Sequence, residues 1–404
     1  MSDRRIAVHP TADAVRAVRG GHPWVWDGSI ERVGRDGIAG DLAVVFDRSR
    51  RFVGIGLYDP TSPIRVRVLH AGEPRPIDDA FFLDRTVDAI DRRQSLLDDS
   101  ATTGFRLIHG ENDHLPGLVV DRYAESLVVR LDTVAWLPHL RAVLDPLIEM
   151  LEPERIVLRT SRRLAPLLPP DLRDGQTLIG EAPVAPVTFL EHGLSFEADL
   201  VNGQKTGHFL DQRDNRALVA TRCEQATVLD VFCNTGGFSV HAAAAGAREV
   251  HSIDSSEHAI AATRRHIELN RAHYGSAVRH RTSTDDAFAA MEALVCERAR
   301  FDVVIVDPPS FAPNAAAVPA ARRAYRRLSR LALELLGTGG TLFQASCSSR
   351  IGDIEFHDLI ADEIDAFGWK STREVRTTHA PDHPIGFPEG AYLKGLLADV
   401  VPRT

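Results

Sequence analysis

The pattern of apolar and polar residues changes near residue 200. Beyond it, apolar runs typical of buried strands alternate with stretches of helical spacing, including one over 256–272. The runs that predict strands are ATVLDVF (226–232), EVHSID (249–254), AVRHRTS (277–283), FDVVIVD (301–307) and GTLFQAS (340–346). Apolar strands separated by helices are typical of a parallel sheet covered on both faces. The pattern therefore predicts an α/β domain with a mostly parallel sheet.

The first 200 residues show shorter runs. Residues 1–72 contain the β-type runs DLAVVF, FVGIGLY and IRVRVL between Gly, Asp and Pro residues, as in a small barrel. A linker is predicted at 71–79, followed by a block with helices over 80–98 and 134–151 and a strand over 155–160. We therefore predict three domains: 1–72 (β-rich), 73–190 (small and α/β) and 191–404 (the parallel-sheet domain).

Composition and charge refine this division. The 404 residues carry a net charge of −9, but 44 of the 47 basic residues are arginines, which bind phosphate in a bidentate manner. Residues 1–72 have a net charge of +3 and the remainder −12, so the first domain is a basic unit on an acidic body. The only lysines are Lys205, Lys370 and Lys394.

Several classes of protein are not favoured. No apolar run approaches the roughly 20 residues needed to cross a bilayer, and the N-terminal residues lack the apolar segment of a secretion signal. The four cysteines share no CxxC spacing, which argues against a zinc site and a disulfide scaffold. His379 and His383 have helical spacing, but Pro381 between them opposes a metal pair on a helix. We expect a cytoplasmic protein without a metal.

Acidic residues stand at the ends of successive predicted strands, where an open α/β sheet binds its ligand. They are Asp230, Asp254, Asp285 with Asp286, and Asp307. A Gly-rich turn, CNTGG, follows the first strand, but the GxGxxG motif, whose main-chain amides bind a pyrophosphate, is absent. Acidic residues without that motif suit a nucleoside that is positively charged and has no phosphate. S-adenosylmethionine is such a nucleoside. The alternative is that these acids cap helices.

A reacting centre is predicted after the fourth and fifth strands. In DPPSF, two prolines fix the direction of the Asp307 side chain and the Pro308 carbonyl, and Cys347 in SCSS follows the neighbouring strand. A thiolate that adds to C6 of cytosine makes C5 nucleophilic, and an acid near N3 stabilises the developing charge. The thiolate needs a nearby cation, for which Lys205 or an arginine would serve. The alternative is that Cys347 is a small buried apolar residue.

Two other segments stand out. The stretch NGQKTGHFLDQRDNR (202–216) is too rich in glycine, amide and charged residues for a simple connector, unless it is a capped helix start. The run RRAYRRLSR (322–330) places five arginines at helical spacing just after DPPSF. This face either contacts RNA phosphate or is ordinary solvated surface.

These motifs resemble the ribosomal RNA large subunit methyltransferase I family, S-adenosylmethionine-dependent enzymes that make 5-methylcytosine. HPWVWDGSI, GENDHLPGLVVDRY, KTGHFLDQR, CNTGG, VDPPSF, SCSS and PEGAYLKG occur in the family's order along almost the whole chain. The resemblance implies an N-terminal PUA domain, a small central α/β domain and a C-terminal Rossmann-like class I methyltransferase domain. It also places the nucleophile at Cys347. Ser310, where the family often has lysine, and Cys233 depart from the pattern.

We therefore predict an RNA cytosine-5 methyltransferase acting on 23S ribosomal RNA, with Cys347 and Asp307 as catalytic residues. The residues predicted to bind S-adenosylmethionine are Lys205, Phe209, Asp211, Gln212, Arg213, Asp230, Phe232, Asn234, Thr235, Gly236, Gly237, Asp254, Asp286 and Asp307. One alternative is methylation of a base nitrogen without a nucleophilic cysteine; another is an RNA-binding factor without the cofactor.

Some features stay open at this level. The sequence does not name the base that removes the C5 proton, the target nucleotide or the oligomeric state, for which a homodimer is one option. It also does not decide between naked RNA and a ribosomal particle as substrate. Lys205 and Lys394 lie in the two most specific motifs of an arginine-dominated chain. They are the positions at which to look for a requirement that arginine cannot meet.

Overall fold

A computed structural model describes residues 4–274 and 278–403. Its strands are β1 (Arg5–Pro10), β2 (Trp24–Trp26), β3 (Ile30–Val33), β4 (Leu42–Phe46), β5 (Phe52–Tyr58), β6 (Ile64–Ala71), β7 (Gly104–His109), β8 (Leu118–Tyr123), β9 (Ser126–Leu131), β10 (Arg155–Thr160), β11 (Thr177–Ile179), β12 (Val187–Glu191), β13 (Leu194–Ala198), β14 (Thr227–Val231), β15 (Glu249–Asp254), β16 (Arg279–Thr284), β17 (Phe301–Val306), β18 (Leu336–Ser346), β19 (Trp369–Thr377) and β20 (Lys394–Pro402). Its α-helices are α1 (Ala12–Arg19), α2 (Asp79–Asp91), α3 (Gln94–Leu97), α4 (Arg141–Leu151), α5 (Arg213–Ala220), α6 (Gly237–Ala244), α7 (Glu257–Leu269), α8 (Arg271–Tyr274), α9 (Ala287–Cys296), α10 (Val318–Leu335) and α11 (Asp353–Ala366).

The chain divides into two compact units. The first contains Met1–Phe189, Ala198–His208 and Asp382–Pro388, and the second contains Leu190–Glu197, Phe209–Pro381 and Glu389–Thr404. The chain therefore passes between the units within the 202–216 segment and again within the DHPIGFPEG stretch. The three-domain boundaries at 72/73 and 190/191 remain a prediction.

The first unit contains two sheets. Six strands in the order β2-β6-β5-β4-β1-β3 form the first, and five in the order β11-β10-β9-β8-β7 form the second. Leu42, Leu57 and Leu69 from the first sheet belong to the same apolar core as Phe82 and Trp136. The β-rich segment therefore shares a buried core with the residues that follow it, and it has a second core of its own that includes Ile6, Val8 and Val25.

The helix predicted over 134–151 is interrupted. A 3₁₀ turn covers Val134–Trp136, capped by the Thr133 side chain, and α4 begins only at Arg141. Pro138 lies between them, and proline has no N–H group to continue the helical ladder. The predicted helix 80–98 is also divided, into α2 and α3, with Arg92 and Arg93 between them.

The second unit is built on a seven-stranded sheet with the order β16-β15-β14-β17-β18-β20-β19. Strands β16, β15, β14, β17 and β18 are parallel, as predicted, and β20 and β19 add an antiparallel edge. The sequence prediction did not include these last two strands. Strand β19 is mostly polar and exposed, whereas β20 is apolar and mostly buried. The predicted third strand begins at residue 277, which lies outside the described residues.

Candidate active site

The carboxyl ends of four adjacent strands bring the predicted motifs together in the second unit. Asp230 and its turn follow β14, Asp254 ends β15, Asp307 follows β17 and Cys347 follows β18. These strands are hydrogen-bonded neighbours in one parallel array, so their ends meet at the same edge of the sheet. The site of the predicted chemistry is thus a single rim rather than a set of separate motifs.

The turn after β14 has an unusual backbone. Phe232 and Asn234 have positive φ angles of 63° and 49°, and Gly236 has a φ of 80°. A Cβ atom at Gly236 would lie 2.5 Å from the Thr263 side chain, so glycine is needed for space as well as for conformation. The sequence CNTGG therefore makes a tight turn that leads directly into α6.

Helix α7 holds this turn in place. The Thr263 hydroxyl donates a hydrogen bond to the Asn234 carbonyl at 2.9 Å, and His266 Nδ1 lies 2.7 Å from the Thr235 carbonyl. On the other side, the Asp254 carboxylate accepts the Asn234 N–H at 2.9 Å. These contacts fix the main-chain groups of the turn, which strengthens the expectation that they contact a ligand.

The start of α6 packs on a buried ion pair. Arg216 donates two hydrogen bonds to Glu191 at 2.9 and 2.8 Å, and His241 Nε2 is 3.0 Å from the same carboxylate. A Cβ at Gly237 would lie 2.4 Å from Arg216 Nε, so Gly237 lets the helix approach the guanidinium. Arg216 also donates to the Phe209 carbonyl at 2.7 Å, which connects the FLDQR stretch to this support.

The FLDQR stretch reaches the DPPSF motif through its side chains. Gln212 donates a hydrogen bond to the Asp307 carboxylate. Asp211 accepts a hydrogen bond from the Tyr392 hydroxyl at 2.7 Å. Arg213 is buried at the start of α5, where it binds Asp214 at 3.0 Å. The second half of the predicted motif therefore lies against Asp307.

The acids at this rim repel one another. Burial and, to a smaller extent, Asp254 raise the pKa of Asp230 to about 6. Removal from water, then Asp211, raise the pKa of Asp307 to about 7. Asp230 Oδ2 accepts the Ser239 hydroxyl at 2.6 Å, whereas Asp230 Oδ1 is buried without a hydrogen-bond partner. A cationic ligand would relieve this repulsion, so the acids suit a sulfonium nucleoside.

Asp286 caps a helix, which is the alternative to cofactor binding given above for these acids. Its side chain caps α9 by accepting the Ala289 N–H at 3.0 Å, and Asp285 accepts the Asp286 N–H at 2.8 Å. Both residues are exposed. Their predicted contact with an adenine ring therefore rests on position alone.

The SCSS loop brings Cys347 beside the DPPSF motif. Its sulfur lies 3.9 Å from the Pro308 carbonyl oxygen, and the thiol is half-buried. The residues on either side are fixed: the Ser346 hydroxyl is 2.7 Å from the Tyr325 hydroxyl, and the Ser348 carbonyl accepts Lys394 Nζ at 2.5 Å. Phe311 packs edge-on against Tyr325 and Phe232, with ring centroids 5.3 and 6.5 Å apart.

The predicted arginine face is largely neutralised. Arg322 pairs with Glu355, Arg326 with Asp362 and Glu363, Arg327 with Glu292, and Arg330 with Glu363. Helices α9 and α11 supply these acids, which the linear spacing of the arginines does not reveal. The pairs favour the alternative of a solvated, ion-paired surface.

The remaining predicted residues lie elsewhere. Lys205 is exposed in the first unit, so its contact with the cofactor remains a prediction. Cys223 and Cys233 are buried, Cys296 is exposed, and burial raises the pKa of Cys233 well above its usual value. No group of residues able to hold a metal occurs within 4–274 and 278–403, nor does any helix there have the length and apolarity to span a membrane.

Sequence reasoning missed several residues that shape this rim. They are Tyr325, Thr263, His266, Tyr392 and Glu191, most of which belong to helices or strands distant in sequence. Lys394, a rare lysine within a specific motif, was singled out by the sequence but without a role.

Comparison with known proteins decides the family. A family model described as S-adenosylmethionine-dependent methyltransferase matches residues 170–397, and a PUA-like domain model matches residues 9–71. A ribosomal RNA large subunit methyltransferase from Deinococcus radiodurans is 43% identical over 97% of both chains. A ribosomal RNA large subunit methyltransferase I from Aeromonas hydrophila is 36% identical over 93% of this chain and 94% of its own.

The chain belongs to the ribosomal RNA large subunit methyltransferase I family. The predicted cofactor is therefore confirmed: the protein is an S-adenosylmethionine-dependent methyltransferase. The PUA-like N-terminal domain and the α/β methyltransferase fold are also confirmed. A solved SAM-dependent methyltransferase from Streptococcus mutans has the same fold, with a TM-score of 0.81 over 97% of this chain and 99% of its own at 19% identity.

Proposed function

We propose that this methyltransferase forms 5-methylcytosine in large-subunit (23S) ribosomal RNA, with Cys347 as the nucleophile and Asp307 as the acid. The observation that carries the proposal is the meeting of two motifs at one rim. The Cys347 sulfur lies 3.9 Å from the carbonyl of Pro308, the residue after Asp307. A pyrimidine held by Asp307 and the Pro308 carbonyl would thus have a thiol beside it.

Ribosomal RNA as substrate is supported by the relatives. Those that span nearly the whole chain are named ribosomal RNA large subunit methyltransferases. The PUA-like segment lies within the basic first 72 residues, where a net charge of +3 suits RNA phosphate. The target cytosine must leave its stack before it can reach strand ends on an α/β sheet.

Cys347 supplies the covalent step. Its thiolate forms a bond to C6, and the C5–C6 π electrons move toward N3 and make C5 nucleophilic. Bound S-adenosylmethionine supplies the methyl group as an electrophile on its sulfonium. Methyl transfer to C5 would release S-adenosylhomocysteine as the leaving group. A general base then takes the C5 proton, which restores the C5–C6 double bond, breaks the S–C6 bond and returns the Cys347 thiolate. Because the thiol is half-buried, it can contact a nucleobase and is also partly shielded from water.

Asp307 supplies the acid. With a pKa of about 7, raised by burial and by Asp211, a substantial fraction of the carboxyl groups keeps its proton near neutrality. A protonated carboxyl can donate to N3 as negative charge develops there. An ordinary aspartate, ionised at this pH, would instead repel that charge.

Residues of this chain would hold the cofactor around the turn after β14. We propose that the Asp254 carboxylate, which ends β15 and accepts the Asn234 N–H, also accepts ribose hydroxyls. Phe232 and the main-chain groups of Asn234–Gly237 lie at the entry to α6 and would contact the rest of the nucleoside. Asp230 Oδ1, buried without a partner, is an acceptor suited to the positive end of the ligand. We propose the same role for Phe209, Asp211, Gln212 and Arg213 of the FLDQR stretch.

Methylation of a base nitrogen is a second candidate. The contact between the Cys347 thiol and the Pro308 carbonyl is also what a packing cysteine would make. Asp307 and that carbonyl would then hold an amino group directly, without covalent addition.

Replacement of Cys347 by Ala separates the two functions. We expect methylation of rRNA fragments to fall by at least about a thousandfold, because C5 is then not activated. Cys296→Ala, which removes an exposed cysteine, serves as the control and should leave activity unchanged. RNA containing 5-fluorocytidine should form a stable protein–RNA adduct with wild type only. The fluorine occupies the position of the C5 proton, and without a proton to remove the S–C6 bond is not broken. Full activity of Cys347→Ala would overturn the cytosine-5 mechanism.

A further inference from the structure

Lys394 is a buried lysine beside the nucleophile loop. Only 3% of its surface is exposed, and it stands opposite Ser346 in the antiparallel pairing of β18 with β20. Its ammonium donates hydrogen bonds to the Ser348 carbonyl at 2.5 Å and to the Ile351 carbonyl at 2.6 Å. Lys394 therefore closes the loop that carries Cys347, from the strand next to it.

Both sides of Cys347 are thereby fixed. Tyr325 holds Ser346 through the 2.7 Å contact between their hydroxyls, and Lys394 holds Ser348. The Ser348 carbonyl also accepts the Ile351 N–H at 3.3 Å, so one oxygen joins the turn and the lysine. The thiol in between has little freedom except at its own side-chain torsion.

The charges around the ammonium come from several elements. Asp353 and Glu355 at the start of α11, together with Cys347, act to keep Lys394 charged, whereas burial, the largest effect, lowers its pKa. Tyr325 of α10 and Asp307 after β17 belong to the same neighbourhood, since both Cys347 and Asp307 act on the Tyr325 hydroxyl. The electrostatic interaction of Lys394 with Cys347 is attractive when the sulfur is a thiolate.

Lysine suits this place better than arginine. An ammonium is a compact charge whose three N–H groups can converge on two neighbouring carbonyls, whereas a guanidinium is a broad planar fork. Lys394 is one of three lysines against 44 arginines, and Lys370, by contrast, is exposed on β19. The rare residue type coincides with the place where its shape is needed.

We propose that Lys394 is the positioning residue for the Cys347 nucleophile: it fixes the SCSS loop and supplies the positive charge that favours the thiolate. This inference rests on the proposed function. The sequence suggested Lys205 or an arginine as this cation, and the proposal assigns the role instead to a lysine of the same unit as Cys347.

The test is the reactivity of Cys347 without substrate. Full-length wild type, Lys394→Met and Lys394→Arg are each made with Cys296→Ser, so that the exposed cysteine does not compete. Iodoacetamide alkylation of the Cys347 peptide is followed by mass spectrometry from pH 6 to 10. For Lys394→Met we expect alkylation at pH 7 to slow by about tenfold, with its pH midpoint about one unit higher, because a nearby positive charge is lost.

The other variants distinguish charge from support. Lys394→Arg should keep a midpoint close to wild type while methylation falls, because the charge remains and the two carbonyl contacts are altered. Lys370→Met should change neither. Thermal unfolding of each variant shows whether it is folded. The alkylation rate is measured at a temperature at which all the variants are folded. An unchanged midpoint in folded Lys394→Met would overturn the proposal.

Failure of the Lys394 proposal can be distinguished from failure of the proposed function. If Cys347→Ala keeps full activity, the cytosine-5 mechanism fails, whatever Lys394 does to thiol reactivity. If Cys347→Ala is inactive and the alkylation midpoint of Lys394→Met does not move, only the role of Lys394 fails.

Discussion

The turn after β14 and the loop after β18 lie at the same rim but are held by opposite means. The turn depends on backbone conformation, with positive φ at Phe232, Asn234 and Gly236, and on hydrogen bonds from Thr263 and His266. The loop is held by a buried ammonium, Lys394. The turn contacts carboxylates and the loop a cation, which matches a positively charged cofactor and the negatively charged nucleophile that we propose.

The largest effect is expected at Asp307, which lies between the two regions. Asp307→Asn should lower the rate of methylation by about 10²–10⁴-fold, because an amide cannot supply the proton. The wild-type rate should also fall as the pH rises through about 7, where the Asp307 carboxyl loses its proton. Single-turnover assays with rRNA fragments measure both.

The matched control is Asp358→Asn, an exposed acid on α11, which should retain the wild-type rate and pH profile. If Asp307→Asn is active and its methylation rate still falls as the pH rises through about 7, another group is responsible for the fall.

Loss of the support beneath the turn should mainly affect stability. Glu191→Ala leaves Arg216 and His241 without their shared carboxylate, and we expect it to lower the free energy of unfolding by about 3–5 kcal/mol. Glu249→Ala, which removes only partly exposed ion pairs with Arg279 and Arg281, should cost less than about 1 kcal/mol. Urea unfolding compares the two, and equal values would contradict a special role for the buried pair.

The acids of the turn should make stability depend on pH. The folded pKa of Asp230 is about 6, above the ordinary 3.8, so the folded state binds the proton more tightly than the unfolded state. Stability from this group is complete below about pH 4 and is lost as the pH rises through 6, by up to about 3 kcal/mol.

Asp230→Asn should flatten that part of the profile, since the amide can still accept the Ser239 hydroxyl but does not ionise. Thermal unfolding between pH 4 and 8 measures this difference. A decline with rising pH that is equally large in wild type and Asp230→Asn would exclude Asp230 as its cause.

Adding one methyl group, by a change from glycine to alanine, should affect the turn after β14 more than the loop after β18. Gly236→Ala forces a side chain into a φ of 80° and toward Thr263, and should destabilise the protein by about 1–3 kcal/mol and weaken cofactor binding. In Gly352→Ala, in the loop after β18, the new methyl group meets no atom within 4 Å, so stability and cofactor binding should change little. Calorimetry with S-adenosylmethionine provides the measurement, and the reverse order would refute the backbone explanation.

The smallest effect is expected on α10. Arg326 is paired with Asp362 and Glu363, so Arg326→Ala should weaken RNA binding by less than about twofold. A tenfold loss of affinity, with a smaller salt dependence, would instead show that this arginine contacts phosphate. Filter binding at several salt concentrations distinguishes these outcomes.

Local chemistry explains why part of the site could be predicted. Apolar runs such as FDVVIVD predict strands, and in a parallel sheet the residues that follow them must meet at one edge. This reasoning placed Asp230, Asp254, Asp307 and Cys347 at one rim. For Asp286, whose side chain caps α9, the predicted cofactor contact remains a prediction. The reasoning did not include the antiparallel strands: β19 is mostly polar and exposed, whereas β20 is apolar and mostly buried.

The sequence by itself determined the alternation of parallel strands and helices in the second unit, the S-adenosylmethionine cofactor, and the family. These follow from residue type and spacing, which act over a few neighbours. The tertiary structure decided which charges meet. Lys394 lies 47 residues after Cys347 and is brought near it by the pairing of β18 with β20, while acids from α9 and α11 neutralise the arginines of α10. Electrostatic interactions depend on distance in space and on burial, and neither can be read from position along the chain.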